Sequence, residues 1–268
     1  MKKLFLNGPF SPHHTDNLMH SEGDLSEARE NFISRRFRNL DVLLSSRYSW
    51  MNDYLSEGQK IIEIGSGAGF SQLYLKQTLT LTDATQNSWI EKFIDATDME
   101  LDDNSHDVII ASHNIHHFYS PYKFFMECQR VLKPGGVILI QELNTSLMLR
   151  FLLKIMHHEG WSYDKDVFDE DAIMNNENDL WSANCAVPEM IFSQASRFNQ
   201  TFEKLTIERN QLCECFIFPL SGGVIAKTKV PELPKFILDM VLLLDKILIK
   251  ILPSVFALGR QVVIRKGI

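Results

Sequence analysis

The chain has 268 residues, 45% of them hydrophobic, which is enough apolar surface to fill one large α/β domain or one domain carrying an insertion. A formal net charge of −7 excludes general affinity for nucleic acid, which requires clustered Lys and Arg to displace counterions. The four cysteines, Cys128, Cys185, Cys213 and Cys215, include no CxxC pair, and the last two alternate along one strand-like run, a poor disulfide geometry; reduced thiols in a cytoplasmic protein are the expectation. Asn7-Gly-Pro9 and Pro12 interrupt the N-terminal apolar run, so no secretion signal is read there.

Residues 1–23 read as an irregular lead-in. Asp24 and Glu27 form a capping pair for a helix running to about Ser46, with Leu25, Ala28, Phe32, Leu40 and Leu44 at helical spacing. Arg29, Arg35, Arg36, Arg38 and Arg47 decorate it, either as a solvated face or as a contact for an anionic substrate or membrane surface. A short helix over 48–55 leads to a buried strand built on Ile61, Ile62 and Ile64. Glycines follow at 65, 67 and 69, where φ > 0 and a close ligand approach are affordable, and a helix over 72–77 would offer free N–H groups to an anion. Residues 78–83 read as a second strand ending on an acid, 87–93 as a helical piece and 107–112 as a buried strand. Residues 121–132 read as an amphipathic helix stopped by Lys133-Pro-Gly-Gly136, and 137–142 as another buried strand.

Strands alternating with helices predict an α/β fold: a doubly wound, Rossmann-like, mostly parallel seven-stranded sheet with helices on both faces, whose ligands sit at the carboxyl ends of the strands. From Leu143 the rhythm changes. Residues 147–158 read as helix, 159–184 as an aperiodic stretch rich in Asp, Asn and Trp, and 202–218 as one bent strand or two short ones. Residues 234–257 form a strongly apolar helical segment, and 260–265 the last strand. The expected organisation is an N-terminal helical cap (1–56), a nucleotide-loop core (57–145), a lid inserted after the fifth strand (146–200) and C-terminal strands with an apolar helical insertion (201–268).

A dinucleotide fingerprint would need glycine at position 70, which is Phe70, so a nicotinamide oxidoreductase is disfavoured. Instead, Glu63-Ile-Gly-Ser-Gly-Ala-Gly69 resembles the first motif of class I S-adenosylmethionine (SAM)-dependent methyltransferases of the type 11-like kind. Asp83 closing the second strand, Asp95-Ala96 before the fourth and Arg130-Val-Leu-Lys-Pro-Gly-Gly136 before the fifth match in the family's order. The resemblance covers roughly 55–145 and implies SAM as cofactor. It implies cofactor contacts at Glu63, Gly65, Ser66, Gly67 and Gly69, at Asp83 and Ala84, at Asp95 and Ala96, and at Ser112 and His113. Asp83 would take both ribose hydroxyls and Asp95 the adenine amino group.

The fourth strand runs into Ala111-Ser-His-Asn-Ile-His-His-Phe118, similar to the family segment that begins the substrate site. His113 or His116 could serve as general base for an acceptor hydroxyl, or the histidines could pack or touch cofactor, as expected for His117. Glu142 and His158 are the further catalytic candidates. Metal sets drawn from His113, His116 and Glu142, or from His157, His158 and Glu159, have suitable ligand types, but no spacing singles them out and none is assigned. Trp161 and Trp181 either stack on a sugar or ring or pin the insertion to the domain.

The expected reaction is methyl transfer to oxygen of a small-molecule or glycan acceptor, by analogy with the surface-polysaccharide enzymes that share the layout of the second half. A quinone or other hydrophobic metabolite is the alternative, and a non-catalytic SAM-binding protein a third. In the apolar segment Asp239, Asp245, Lys246 and Lys250 break every run long before the ~18 residues of a spanning helix. It either packs on the protein or on a homodimer partner, or lies peripherally at a membrane interface.

Overall fold

A computed structural model describes residues 8–10, 24–156, 159–176, 178–179, 182–225 and 228–268. Seven strands form one sheet: β1 (Ile61–Ile64), β2 (Thr80–Asp83), β3 (Lys92–Phe93), β4 (His106–Ser112), β5 (Leu132–Leu143), β6 (Leu205–Cys213) and β7 (Gly259–Lys266). Their order is β3-β2-β1-β4-β5-β7-β6, with β7 antiparallel to both its neighbours and the pairs from β3 to β5 parallel. The expected doubly wound sheet is therefore present. Its strands read as continuous apolar runs because both faces are covered.

Period-two alternation splits those runs between two cores. Ile62, Ile64, Ile109, Ile138, Ile140 and Ile264 face one core, built with Phe124, Phe125 and Cys128 of α3 (Pro121–Val131), Phe192 of α5 (Val187–Phe192) and Phe198 of α6 (Ala195–Thr201). Ile61, Leu81, Ile110, Leu139 and Val263 face the other, with Phe32 of α1 (Leu25–Arg35), Leu40, Leu43 and Leu44 of α2 (Arg38–Tyr48), Ile217 of α7 (Ile217–Leu220) and Leu238 of α8 (Lys235–Ile251). Between the strands and α5, α4 (Leu147–Met156) follows β5.

The local expectations needed four corrections. The first helix is two: Asp24 caps α1 as expected, but Arg36 adopts a left-handed φ of 51° and its N–H closes on Phe32 O, ending α1 before α2 begins. No helix follows the glycine loop; the chain makes only a 3-10 turn over Phe70–Leu73, because Thr80 must already pair with Ile62. Residues 87–93 are not a helical piece: a turn in which Ile90 N–H bonds Asn87 O at 3.0 Å leads into the two-residue edge strand β3. Lys133-Pro-Gly-Gly136 is not a stop but the start of β5, where the register jumps from His106↔Leu132 to Val108↔Val137. A Cβ at Gly136 would lie 2.9 Å from Asp107 O, so the bulge depends on glycine there.

Within the apolar segment, α8 is followed by α9 (Pro253–Phe256), which packs on α4. Asp245 is buried and accepts backbone N–H bonds from Cys215, Phe216 and Ile217 at 3.0, 2.9 and 3.1 Å, which caps α7 and staples α8 to the domain. No helix of the described residues is long and apolar enough to cross a membrane.

Candidate functional site

A cavity of about 730 Å³ opens at the carboxyl ends of β1, β2 and β4, within the range of small-molecule sites. Its floor is the glycine loop. Gly65, Gly67 and Gly69 all have left-handed φ (64°, 52° and 65°), which non-glycine residues rarely adopt. A Cβ at Gly65 would lie 2.7 Å from Asn114 Nδ2, the donor that holds Ile64 O. The loop's outward carbonyls are pinned from behind: Trp89 Nε1 donates to Gly67 O at 2.8 Å, and Arg29 Nη1 to Ala68 O at 2.6 Å. Arg29 also lies over the Trp89 ring at 5.0 Å, so an arginine that reads as surface decoration in the sequence fixes the loop.

Asp83 and Asp95 reach the cavity in identical tripeptides, Asp83-Ala84-Thr85 and Asp95-Ala96-Thr97. In each, Oδ1 of the aspartate accepts from the threonine N–H and hydroxyl, at 2.9 and 2.8 Å around Asp83 and at 2.8 and 2.7 Å around Asp95. This repeated Asx turn was legible in the sequence and went unread. Asp83 Oδ2 also accepts Gly67 N–H at 2.8 Å, so three of its four lone-pair sites are engaged, and bidentate capture of a diol requires the loop to release one.

Glu63 and Gly69 are not cavity contacts. Glu63 is buried beneath the loop and takes the Ser71 hydroxyl at 2.5 Å, while a Cβ at Gly69 would meet Arg29, Leu81 and Trp89 at 2.9 Å. Ser66, Ser112, Ala84 and Ala96 do line the cavity. Burial pushes the Glu63 carboxyl up to about 8, with the Ser71 and Ser66 hydrogen bonds opposing and the charge of Asp83 adding. Because the folded pKa is raised, the contribution of this group to stability is complete below its unfolded value near 4.5 and is lost as pH rises toward about 8. Glu63→Gln should therefore gain on wild type by on the order of 1–3 kcal/mol between about pH 5 and about pH 8 in urea unfolding without cofactor. A difference independent of pH would mean that the carboxyl is already ionised.

Beside the glycine loop, a further wall of the cavity is built on the turn after β4. His113 has a left-handed φ of 54° and donates its N–H to Gln141 O at 2.8 Å. Burial, then the charge of Arg47 and the neighbouring histidines, hold its pKa well below the usual value, so it is a poor proton acceptor. Its Nε2 and Asn114 Oδ1 are buried without a hydrogen-bond partner among the described residues. Arg47 is itself tied to Glu214 in a buried bidentate pair at 2.9 and 2.7 Å, with Gln141 Nε2 on the same carboxylate at 2.9 Å.

His116 and Glu142 form the strongest polar pair. His116 Nδ1 lies 2.8 Å from Glu142 Oε2, and Glu142 also accepts the N–H groups of Ile115 (2.7 Å) and Leu143 (2.9 Å). Glu142 is fully buried and does not line the cavity, so it positions His116 rather than touching a ligand. Burial alone would lower the His116 pKa, but the charge and hydrogen bond of Glu142, with Glu159 beyond, raise it above 6.5. Burial would likewise raise Glu142, and the charge and hydrogen bond of His116 with the two N–H donors hold it low.

His117 is the opposite case: burial and the charge of His116 bring it down to about 4, despite Glu159. The described residues with converging metal-ligand atoms are His116, His117 and Glu159, with Nε2 to carboxylate distances of 3.7 and 3.8 Å, rather than either set anticipated from the sequence. His158 and Trp181 lie outside the described residues. Trp161 pins the insertion: it is buried, bridges Phe10 through two backbone hydrogen bonds of 2.9 and 2.8 Å, and packs tilted against that ring at 5.1 Å between centroids.

Residues 62–140 match the family described as Methyltransferase domain. A SAM-dependent methyltransferase from Archaeoglobus fulgidus is similar at 16% identity and a TM-score of 0.51, over 89% of this chain and 99% of that one. A SAM-dependent methyltransferase from Mesorhizobium loti is similar at 13% identity and a TM-score of 0.44, over 83% and 100%. No curated protein sequence matches the chain. The family match covers less than half of the chain; with the fold it is consistent with a class I SAM-dependent methyltransferase. Its cofactor is SAM, and the residues present fit it: a glycine loop that leaves no room for a side chain at Gly65, an Asp95 Oδ2 with no partner among the described residues, and orphaned polar atoms on His113 and Asn114 at the cavity wall.

Proposed function

We propose that the enzyme methylates a hydroxyl oxygen of an amphipathic acceptor, a sugar hydroxyl carried on a glycolipid of a surface-polysaccharide pathway, with His116 as general base. The observation that carries this reading is the His116–Glu142 pair at 2.8 Å, whose histidine lines the cavity.

Bound SAM supplies an electrophilic methyl group; the chain must bind, orient and deprotonate the acceptor. Glu142, fixed by two backbone N–H donors, holds the proton on His116 Nδ1 and leaves the Nε2 lone pair toward the cavity. The acceptor proton passes to Nε2, and the imidazolium that forms is stabilised by Glu142 and faced by Glu159 at 3.7 Å. Neutral His117, bonded through Nδ1 to Ser182 O at 3.2 Å, is available to orient the acceptor without competing for the proton.

The acceptor end is walled by Leu149, Leu152, Leu153 and Met156 of α4 and edged by Asn176, Asn178 and Asp179. An apolar wall with an amide-rich rim suits a molecule with a greasy body and hydroxyls. The same wall favours a second reading, a quinol or phenol with a hydrophobic tail. A non-catalytic SAM-binding protein would need neither the buried dyad nor this second half of the cavity.

The test is incubation of the protein and methyl-labelled SAM with separated total-lipid and aqueous extracts. Label in the glycolipid fraction, released with the sugar on mild acid hydrolysis, is expected. Label in the quinone fraction supports the second reading, and label confined to the aqueous fraction removes both.

A further inference from the structure

The outer face of α8 is apolar and uncovered. Phe236, Met240, Leu243, Leu244, Ile247 and Ile251 are 44–65% exposed, and at about 100° per residue they fall within an arc of about 100°. The opposite side carries Leu238 and Asp245, which hold the helix to the domain. A packing helix normally turns its greasy stripe inward; this one anchors itself by a buried carboxylate and turns the stripe out.

The charges are arranged along one edge of that stripe. Lys235, Asp239, Lys246 and Lys250 lie within about 60° of one another on the wheel. Asp239 is paired with Lys235 at 2.8 Å, whereas Lys246 and Lys250 make no ion pair among the described residues. On a chain of net charge −7, this edge is a local basic margin beside an apolar face. Lysine stems of this kind extend along apolar surface while the ammonium stays in water.

The stripe also continues toward the cavity. Helix α9 joins α8 to α4, on which Phe151 and Ile155 are each 53% exposed, while Leu149, Leu152, Leu153 and Met156 of that same helix line the acceptor end. Helices α8 and α4, with α9 between them, thus each expose apolar side chains, and α4 does so on the helix that also lines the cavity.

We infer that α8, α9 and the outer edge of α4 form a docking face for an anionic lipid bilayer, with α8 lying in the interface plane, its apolar stripe among the acyl chains and Lys246 and Lys250 at the headgroups. Interfacial helices combine a large apolar face with a lysine-bearing polar flank, and neither property alone gives stable binding. A second copy of the chain would cover the stripe, but the single acid on this edge, Asp239, is already paired with Lys235, which leaves Lys246 and Lys250 to be met by headgroup anions. For an acceptor with a lipid body, the face also brings the cavity to where the acceptor resides; that consequence rests on the proposed function, whereas lipid binding itself does not.

The test is co-sedimentation of the full chain, without SAM or acceptor, with phosphatidylcholine vesicles that contain or lack phosphatidylglycerol. Binding to the anionic vesicles that weakens with salt is expected. Met240→Glu with Leu243→Glu should abolish it, and Lys246→Ala with Lys250→Ala should weaken it at low salt by roughly fivefold per lysine. Both pairs are surface changes, and circular dichroism with a thermal melt checks that the variants fold. Wild type remaining in the supernatant at low salt, or the double glutamate variant binding as well as wild type, overturns the inference. So does light scattering that finds a dimer converted to monomer by Leu243→Glu, since the stripe would then belong to a second copy. Vesicle binding and methyl transfer are separate readouts, so either can fail while the other stands.

Discussion

His116→Gln should lower kcat by about 10²–10⁴-fold, the usual range for loss of a general base, while SAM affinity measured by calorimetry changes little. In the proposed reaction His116 Nε2 takes the acceptor proton, whereas the glycine loop, Asp83 and Asp95 are separate residues of the cavity lining. The pH profile separates this from a structural role. The neutral imidazole is the working form, and its pKa is raised, so wild-type kcat should fall as pH drops through a value above 6.5. In Glu142→Gln the carboxylate that raises this pKa is gone and burial prevails. The acid limb should therefore move to lower pH, and the plateau should fall because the base is weaker. These measurements use the labelled extract fraction as acceptor. A His116→Gln enzyme with wild-type kcat, or a Glu142→Gln profile that keeps the wild-type limb, would remove His116 from the chemistry.

The second large effect is on the cofactor. Gly65→Ala places a Cβ 2.7 Å from Asn114 Nδ2 on a backbone with φ of +64°. A left-handed residue with a side chain costs roughly 1–2 kcal/mol, and displacing Asn114 releases the carbonyl of Ile64 at the loop's entry. SAM affinity should fall by about 10–100-fold in calorimetric titration. Gly135→Ala is the matched control: its φ is +79°, but nothing lies within 4 Å of the added Cβ, and it sits at the opposite end of β5. It should lower the melting temperature and leave SAM affinity intact. Equal losses of affinity in both variants would mean that the loop acts only through global stability.

The core of the fold was readable because its signals are local. Ile61, Ile62 and Ile64, the isoleucines of 107–112 and those of 137–142 are strands buried on both faces, and such strands show themselves as unbroken β-branched runs. The glycines at 65, 67 and 69 announced their backbone conformations for the same reason, since φ > 0 is a property of the residue itself. The helix breaks were less legible. Arg36 takes a left-handed turn that its side chain does not favour, and Lys92 and Phe93 become an edge strand because β2 offers them a free edge at Thr82 and Asp83. Neither outcome follows from the local residue pattern.

The candidate site divides along the same line. By itself the sequence determined the donor half: Gly65, Gly67, Asp83 and Asp95 lie at the ends of consecutive strands, and a parallel sheet gathers strand ends at one edge. It also supplied His113 and His116 as two possible bases, with Glu142 and His158 as further catalytic candidates. Only the tertiary structure sets their surroundings apart, and basicity depends on surroundings and not on residue type. His116 is buried against a carboxylate that raises it; His113 is depressed by burial and then by the charge of Arg47; Glu142 is enclosed and becomes a support. Asp245 makes the same point for α8. In the sequence it is a charge interrupting an apolar run, and in the fold it is the inward anchor that leaves the greasy face outside.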